Sequence, residues 1–414
     1  MSDTLALLVG GGPAPGINGV IASATIEAIN SGLNVIGIYD GYRDLAAGNP
    51  VKTIALSIDE ASRIQASGGS FLRTSRTNPA RDEATLARTV DSLDRLGVRY
   101  LICIGGDDTT FGATRIAERT KGRIGVATVP KTIDNDLPLP DNAPTFGFET
   151  ARSVGAHIIE SLLEDARTTV RWYIVVCMGR KSGALALGMA SAAGATLAVI
   201  PEEFPGETLE IERIVDVLVG AIVKRRAQGR DHGVAVVAEG IVERMSAHML
   251  DGLEDVSRDS YGHIRLADVP IGALLRDRVR ARLTELGIEA TVLTKDIGYE
   301  LRCAKPVAFD VDYTRTLGYG AVRYLLGGGS GSLIALSSGR VHPVALDDLL
   351  DAATGRIRTR QVDVHAESYA VARDYMVRLE PRDLEEPHVG PLAAQSTLDV
   401  QAFRQAFGYA VTLP

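Results

Sequence analysis

Aromatic residues are scarce in this chain: they make up 5% of it, with a single tryptophan. A surface that stacks single-stranded nucleic acid needs aromatic platforms, so that class of function is excluded. No block of lysine and arginine stands out, and the net charge is −8. A polyanionic partner such as DNA therefore meets no basic footprint. Cysteine is equally rare. Cys103, Cys177 and Cys303 are the three present, with no CxxC or Cys/His spacing that would hold zinc. The first two end strand-like runs and read as buried thiols. No stretch reaches the roughly 18 apolar residues of a membrane span. The opening MSDTLALLVGGG lacks the basic n-region of a secretory signal. These absences lead to an expected cytoplasmic protein that engages neither membrane nor nucleic acid.

What is present is glycine and apolar patterning. With 414 residues the chain exceeds what one compact core usually serves, and two domains are expected. Many of its 43 glycines sit at the ends of apolar runs. Such runs at 5–9, 35–39, 100–104, 124–129, 173–177, 197–200 and 234–238 read as buried strands. Helical patterns lie between them. The clearest is DEATLARTVDSLDRLG, with Leu86, Val90, Leu93 and Leu96 at helical spacing, acidic residues at its start and Gly97 past its end. Strands alternating with helices predict an α/β fold with mostly parallel sheets covered on both faces. In such folds ligands bind beyond the carboxyl ends of the strands. The stretch from about 340 onward shows less periodicity and carries no functional signal.

The strand ends are where the chemistry collects. GGGPAPGIN, at 10–18, misses both the Walker and the dinucleotide spacing, yet its glycines before a helix can form an anion nest as well as a plain tight turn. GGSFLRTSRTNP, at 68–79, offers Arg73 and Arg76, whose planar forks suit phosphate and equally suit a solvated loop. IGGDDTTF, at 104–111, sets adjacent carboxylates, Asp107 and Asp108, after a glycine pair. PKTIDND, at 130–136, holds Lys131, Thr132, Asp134 and Asp136. Lysine is a point charge for phosphate, an aspartate can take the proton of an attacking hydroxyl, and Asn/Asp also favour turns. CMGRKSG supplies Met178, Gly179 and Arg180; IPEEF and AEGIVE supply Glu202, Glu203 and Glu239; GYELRCA supplies Tyr299 and Arg302. Each signal alone is weak. Lysine, arginines, glycine nests and carboxylates gathered on one sheet end fit phosphoryl transfer onto a hydroxylated substrate.

In this order, GGGPAPGIN, GGSFLRTSRTNP, GGDDT, PKTIDND, MGR, PEE and AEG resemble the motifs of the phosphofructokinases, over residues 5–332. The chain looks most like the pyrophosphate-dependent branch. The resemblance implies two Rossmann-like α/β domains, with 1–147 plus about 303–355 holding the phosphate donor and about 148–302 plus 356–414 holding the sugar phosphate. It implies Mg²⁺ as cofactor, with pyrophosphate and fructose 6-phosphate as substrates. Asp134 would be the general base for the sugar 1-hydroxyl, with Thr132 and Asp136 in the same turn. Asp107 would be associated with Mg²⁺. Gly11 and Gly12 would face the donor phosphates, and Arg76 would bridge donor and acceptor. Met178, Gly179, Arg180 and Glu239 would line the sugar and the transferring group. Arg171 and Arg302 resemble the 6-phosphate clamp, and Tyr299 stands where many relatives have histidine. One clamping arginine comes from a neighbouring subunit in many bacterial relatives, which implies a homodimer or homotetramer.

Asp108 and Lys131 carry the expected donor choice. ATP-using relatives typically have glycine at both positions, which leaves room for the nucleotide. A carboxylate fills that space and repels the polyphosphate; like charges about 4 Å apart cost about 4 kcal/mol at an effective dielectric near 20. Lys131 is the complementary cation for a small inorganic donor. The rival readings are an ATP-dependent phosphofructokinase, sedoheptulose 7-phosphate as acceptor, a catalytically silent effector-binding subunit, and a dinucleotide oxidoreductase. Pro13 replaces an aspartate common in ATP-using relatives, so no metal role falls there.

Overall fold

The computed structural model describes residues 2–204, 206, 208–245, 269–351 and 357–412. By its contacts the chain forms two compact units, Met1–Ala151 with Tyr299–Arg360 and Arg152–Gly298 with Gln361–Pro414. The expected handover near 355/356 lies outside the described residues. The expected boundary at 302/303 falls a few residues late. Tyr299 and Arg302 belong to the first unit, where Arg302 packs against the glycine turn described below.

In the first unit the strands are β1 (Thr4–Val9), β2 (Asn34–Ile38), β3 (Thr53–Ala55), β4 (Val98–Gly105) and β5 (Gly125–Pro130). The second unit contributes β6 (Trp172–Cys177), β7 (Leu197–Val199), β8 (Gly233–Ala238) and β9 (Val292–Ile297). The chain then returns to the first unit with β10 (Ser332–Ser337) and β11 (Arg340–Ala345). The first sheet has the order β11-β10-β5-β4-β1-β2-β3. Its pairs are parallel except at the two edges, where β3 and β11 run antiparallel. The second sheet, β7-β8-β6-β9, is all parallel.

Parallel sheets bury both faces, and β1 shows why its sequence is apolar at every position after Thr4. Leu5, Leu7 and Val9 point into one core with Ile17 and Ile21 of the helix Ile17–Asn30 and Leu317 of the helix Ala308–Leu326. Ala6 and Leu8 point to the other, where Leu86, Val90 and Leu93 of the helix Glu83–Arg95 meet Cys103. That helix starts where Asp82 accepts the Thr85 N–H at 2.7 Å, a side-chain N-cap, and its chain turns away at Gly97 with φ 68°.

Order reversal of the strands sits between β1 and β4 in the first sheet and between β6 and β8 in the second. These switch points are where a doubly wound sheet opens a crevice at its carboxyl edge. The C-terminal segment, silent in the sequence, is core material of the second unit. Phe403 and Phe407 are fully buried with Val389 and Leu392 against the helix Ile211–Ala227. Each buried phenylalanine contributes roughly 1.5–3 kcal/mol. The buried Asp310 fastens the place where the chain leaves the first unit. It accepts the N–H groups of Gly147 and Thr150, each at 2.8 Å, and the Thr150 hydroxyl. Among the described residues no helix is long and apolar enough to cross a membrane.

Candidate active site

At the carboxyl end of β1 the chain is knitted to its neighbours before it enters the helix. The Gly10 N–H donates to the Ile104 carbonyl at 2.9 Å and the Gly11 N–H to the Ser75 carbonyl at 2.9 Å. The Thr74 hydroxyl donates to the Gly11 carbonyl at 2.6 Å. The Thr74–Ser75 stretch thus carries Arg76 to the glycine turn, although the two segments lie far apart in sequence. Gly11 has φ 81°, a left-handed conformation, and a Cβ there would lie 3.2 Å from Lys131 Nζ. Glycine is needed for both reasons. A Cβ on Gly12 would lie 3.6 Å from Arg302 Cζ, so this arginine stands over the donor turn.

Lys131 follows β5 directly. Its N–H donates to the Gly105 carbonyl at 2.9 Å, extending the β4–β5 ladder, and its ammonium donates to the Gly12 carbonyl at 2.5 Å. The side chain is 6% exposed. Burial lowers its pKa from 10.5 to about 8, helped by the neighbouring Arg302 and Arg76 and opposed by Asp134 and Asp107. Two cations and two carboxylates thus converge electrostatically on one buried amine, and all come from motifs singled out in the sequence. An arrangement with several cations and buried charge is costly in the free protein and favourable once an anion binds.

The stretch from Lys131 to Asp136 is a tight turn. The Asp134 N–H donates to the Thr132 hydroxyl at 3.1 Å, a side-chain-stabilised turn of the kind Ser and Thr favour. Thr145 reaches back with its hydroxyl to the Thr132 carbonyl at 2.7 Å, and with its N–H to Asn135 Oδ1 at 3.1 Å. Asn135 is left-handed, with φ 56°. Asp107 and Asp108 open the helix Asp107–Thr120. The Asp108 N–H donates to Asp107 Oδ1 at 2.9 Å, and both carboxylates stand at the positive end of the helix.

The second unit assembles its own cluster at the β6/β8 switch point. Met178, Gly179 and Arg180 follow β6, and Glu239 follows β8. The Gly179 N–H donates to Glu239 Oε1 at 3.2 Å, and Arg180 Nε lies 3.5 Å from Glu243 Oε1. Gly240 lets these segments meet, since a Cβ there would lie 2.4 Å from the Arg180 carbonyl oxygen.

Other expected residues stand apart. Arg171 precedes β6, at the opposite end of the strand from Arg180. Six extended residues span about 20 Å, so Arg171 does not join the cluster formed by Met178, Gly179 and Arg180 within this unit. Tyr299 is 67% exposed and lies under the Arg302 guanidinium, whose Cζ is 5.3 Å from the ring centroid. Arg73 takes the bland reading: it lies 3.7 Å from Asp40 and stacks over Tyr39. Glu203 is fully buried in an ion pair with Arg378 at 2.8 Å. Glu202 caps backbone, accepting the N–H groups of Gly183 at 2.9 Å and Val362 at 3.1 Å.

Two doubly wound units, one with a buried lysine beside a glycine turn and a paired-aspartate helix start, define a phosphoryl-transfer protein of the phosphofructokinase type. A sequence profile for the family described as Phosphofructokinase matches residues 4–325, and the chain belongs to that family. It is 51% identical to the pyrophosphate–fructose 6-phosphate 1-phosphotransferase of Thermotoga maritima, over 100% of both chains. It is 47% identical to the enzyme of the same name from Naegleria fowleri, over 99% of this chain and 96% of that one. In fold it resembles the crystal structure of a pyrophosphate-dependent phosphofructokinase from Marinobacter aquaeolei, with a TM-score of 0.67 at 18% identity over 90% of each chain.

Proposed function

We propose that this protein transfers a phosphoryl group reversibly from pyrophosphate to the 1-hydroxyl of fructose 6-phosphate, giving fructose 1,6-bisphosphate and phosphate. The observation that carries the donor assignment is the buried Lys131, whose ammonium lies at the Gly11–Gly12 turn, in a chain that also carries Asp108 at the start of the helix Asp107–Thr120. A compact dianionic phosphate end matches a compact cation. The high identity to relatives named for pyrophosphate supports the same choice.

In this reading Asp134 receives the proton of the 1-hydroxyl as the O–P bond forms. Lys131 and Arg76 neutralise charge on the donor phosphates, and Gly11 and Gly12 let backbone approach them. Arg302 was expected at the 6-phosphate; its place over Gly12 adds a cation to the donor side. Arg180, Met178, Gly179 and Glu239 line the sugar, and Asp136 and Thr132 complete the turn around the base. Among the described residues no group of three or more His, Cys, Asp or Glu is placed to hold a metal ion. The carboxylate of Asp107, at the start of the helix Asp107–Thr120 and near Lys131, suits Mg²⁺, which is commonly held by one or two carboxylates plus substrate phosphates. Asp107 would hold it, and the ion would supply charge neutralisation to the transferring phosphoryl. Arg171, remote from Arg180 along β6, serves the acceptor of a neighbouring copy, which makes the working form a homodimer or homotetramer. The site of action is the cytoplasm.

The test is product formation. Purified protein given Mg²⁺, pyrophosphate and fructose 6-phosphate should yield stoichiometric fructose 1,6-bisphosphate and phosphate. Lack of product with pyrophosphate, alongside turnover with ATP, contradicts the assignment.

A further inference from the structure

Arg360 lies outside every motif that marks the family resemblance, beyond the matched residues 4–325. It is the last residue of the first unit. Its side chain nonetheless ends on the catalytic turn. Nε donates to the Asn135 carbonyl at 2.9 Å, and Nη1 to the Ala143 carbonyl at 2.9 Å. Nη2 donates to Asn135 Oδ1. Its own backbone N–H donates to the Asp136 carbonyl at 2.8 Å. Every one of these bonds holds a residue flanking Asp134 or the strap, 143–145, that closes over the turn.

Asn135 is the residue under load. Its φ of 56° is unfavourable for a residue with a Cβ, though least so for asparagine. Such conformations persist where the surroundings over-determine them. Arg360 supplies that determination from both sides, taking the carbonyl and the side-chain oxygen of the same residue. A planar guanidinium with donors in a fixed fork does this in one geometry; an ammonium does not. The φ/ψ of Asn135 orients the peptide it shares with Asp134 relative to the rest of the turn, so clamping Asn135 constrains the backbone from which the Asp134 carboxylate projects.

We propose that Arg360 is a positioning residue for phosphoryl transfer, fixing the Asp134 carboxylate by clamping Asn135 in its left-handed conformation. The proposal rests on Asp134 being the proton acceptor, as above. Misplacing a reacting group by about 1 Å costs on the order of 100-fold in rate. Arg360→Ala is therefore expected to lower kcat roughly 10- to 100-fold, with KM for both substrates within about twofold. Arg360→Lys should recover less than half of the loss, because it keeps the charge and loses the fork.

The experiment combines steady-state kinetics on the full chain with hydrogen exchange of peptides covering 131–136. Arg360→Ala should speed exchange in that turn while peptides of β1 and β4 stay protected. Asn135→Gly accepts positive φ without a clamp, so its kcat loss and that of Arg360→Ala should be strongly non-additive. Unchanged kcat with unchanged exchange overturns the proposal, as do losses that multiply independently. If Arg360→Ala fails to fold, Arg360→Lys and Asn135→Gly carry the same cycle. If wild-type protein makes no product from pyrophosphate, the functional reading fails, and the exchange arm still decides whether Arg360 clamps the turn.

Discussion

Replacing Lys131 by methionine should separate stability from activity. The lysine is 6% exposed and its pKa falls from 10.5 to about 8, first through burial. At about 1.4 kcal/mol for each tenfold change in a proton equilibrium, keeping it charged in the free enzyme costs roughly 3 kcal/mol. Against this stands its hydrogen bond to the Gly12 carbonyl at 2.5 Å. A bond from a charged donor contributes about 1.5–3 kcal/mol. Methionine is of similar length, so the two effects nearly cancel, and stability should change by about 1 kcal/mol or less. Activity should not survive so well. A cation about 4 Å from a phosphate oxygen contributes about 4 kcal/mol at an effective dielectric near 20, and screening reduces this. A loss of kcat/KM for pyrophosphate of roughly 100- to 1,000-fold is expected. The pH dependence has a definite sign. The folded pKa lies below the unfolded one, so between about pH 8 and 10.5 the unfolded chain binds more protons. Wild-type stability gains from this residue as pH rises through that window, and Lys131→Met loses the gain. Donor affinity runs the other way, falling relative to the variant as pH passes about 8. Denaturant unfolding and steady-state assays on both proteins measure all of this. A variant destabilised by several kcal/mol with unchanged kcat/KM would refute the reasoning.

The remaining predictions address donor choice, thiol reactivity and the second unit's core. Asp108→Gly should raise kcat/KM for ATP relative to pyrophosphate by at least tenfold; an unchanged ratio removes the donor-filter role from Asp108 while leaving the family assignment intact. A maleimide should modify Cys303, which is exposed, and spare buried Cys177 and Cys103, whose thiol burial pushes to about 12; mass spectrometry of native protein reads the sites, and labelling of Cys103 first would contradict it. Arg378→Ala strands the fully buried Glu203 and should cost about 3–5 kcal/mol of stability in chemical unfolding.

What could be read from the sequence divides along physical lines. The strands buried on both faces, such as β1, β4, β5 and β8, announce themselves because their runs are almost continuously apolar, with Arg99 of β4 the one charge among them. β9 did not, since it is a sheet edge and carries exposed Lys295 and Asp296. The β10–β11 hairpin had a usable signal. Ser337 pairs with Arg340, leaving Ser338 and Gly339 as a two-residue loop with φ 48° and 74°. That is the geometry preferred where two strands are joined by two residues. Pro343 on the edge strand β11 weakens the strand pattern there. At the site, Gly11, Gly12, Arg76, Asp107, Lys131 and Asp134 could be gathered in advance because each follows a strand end or sits in a family motif. Arg360 could not, because it is chosen by a contact across more than 200 positions and its neighbours carry no pattern. Arg171 shows the converse: the resemblance alone groups it with Arg180, while β6 holds the two at opposite ends of one strand.

The most direct measurement is a comparison of kcat/KM for pyrophosphate and for ATP, each with Mg²⁺ and saturating fructose 6-phosphate. A preference for pyrophosphate of at least 100-fold is expected, a fraction of the roughly 4 kcal/mol repulsion at Asp108. Equal use of both donors, or a preference for ATP, would contradict it.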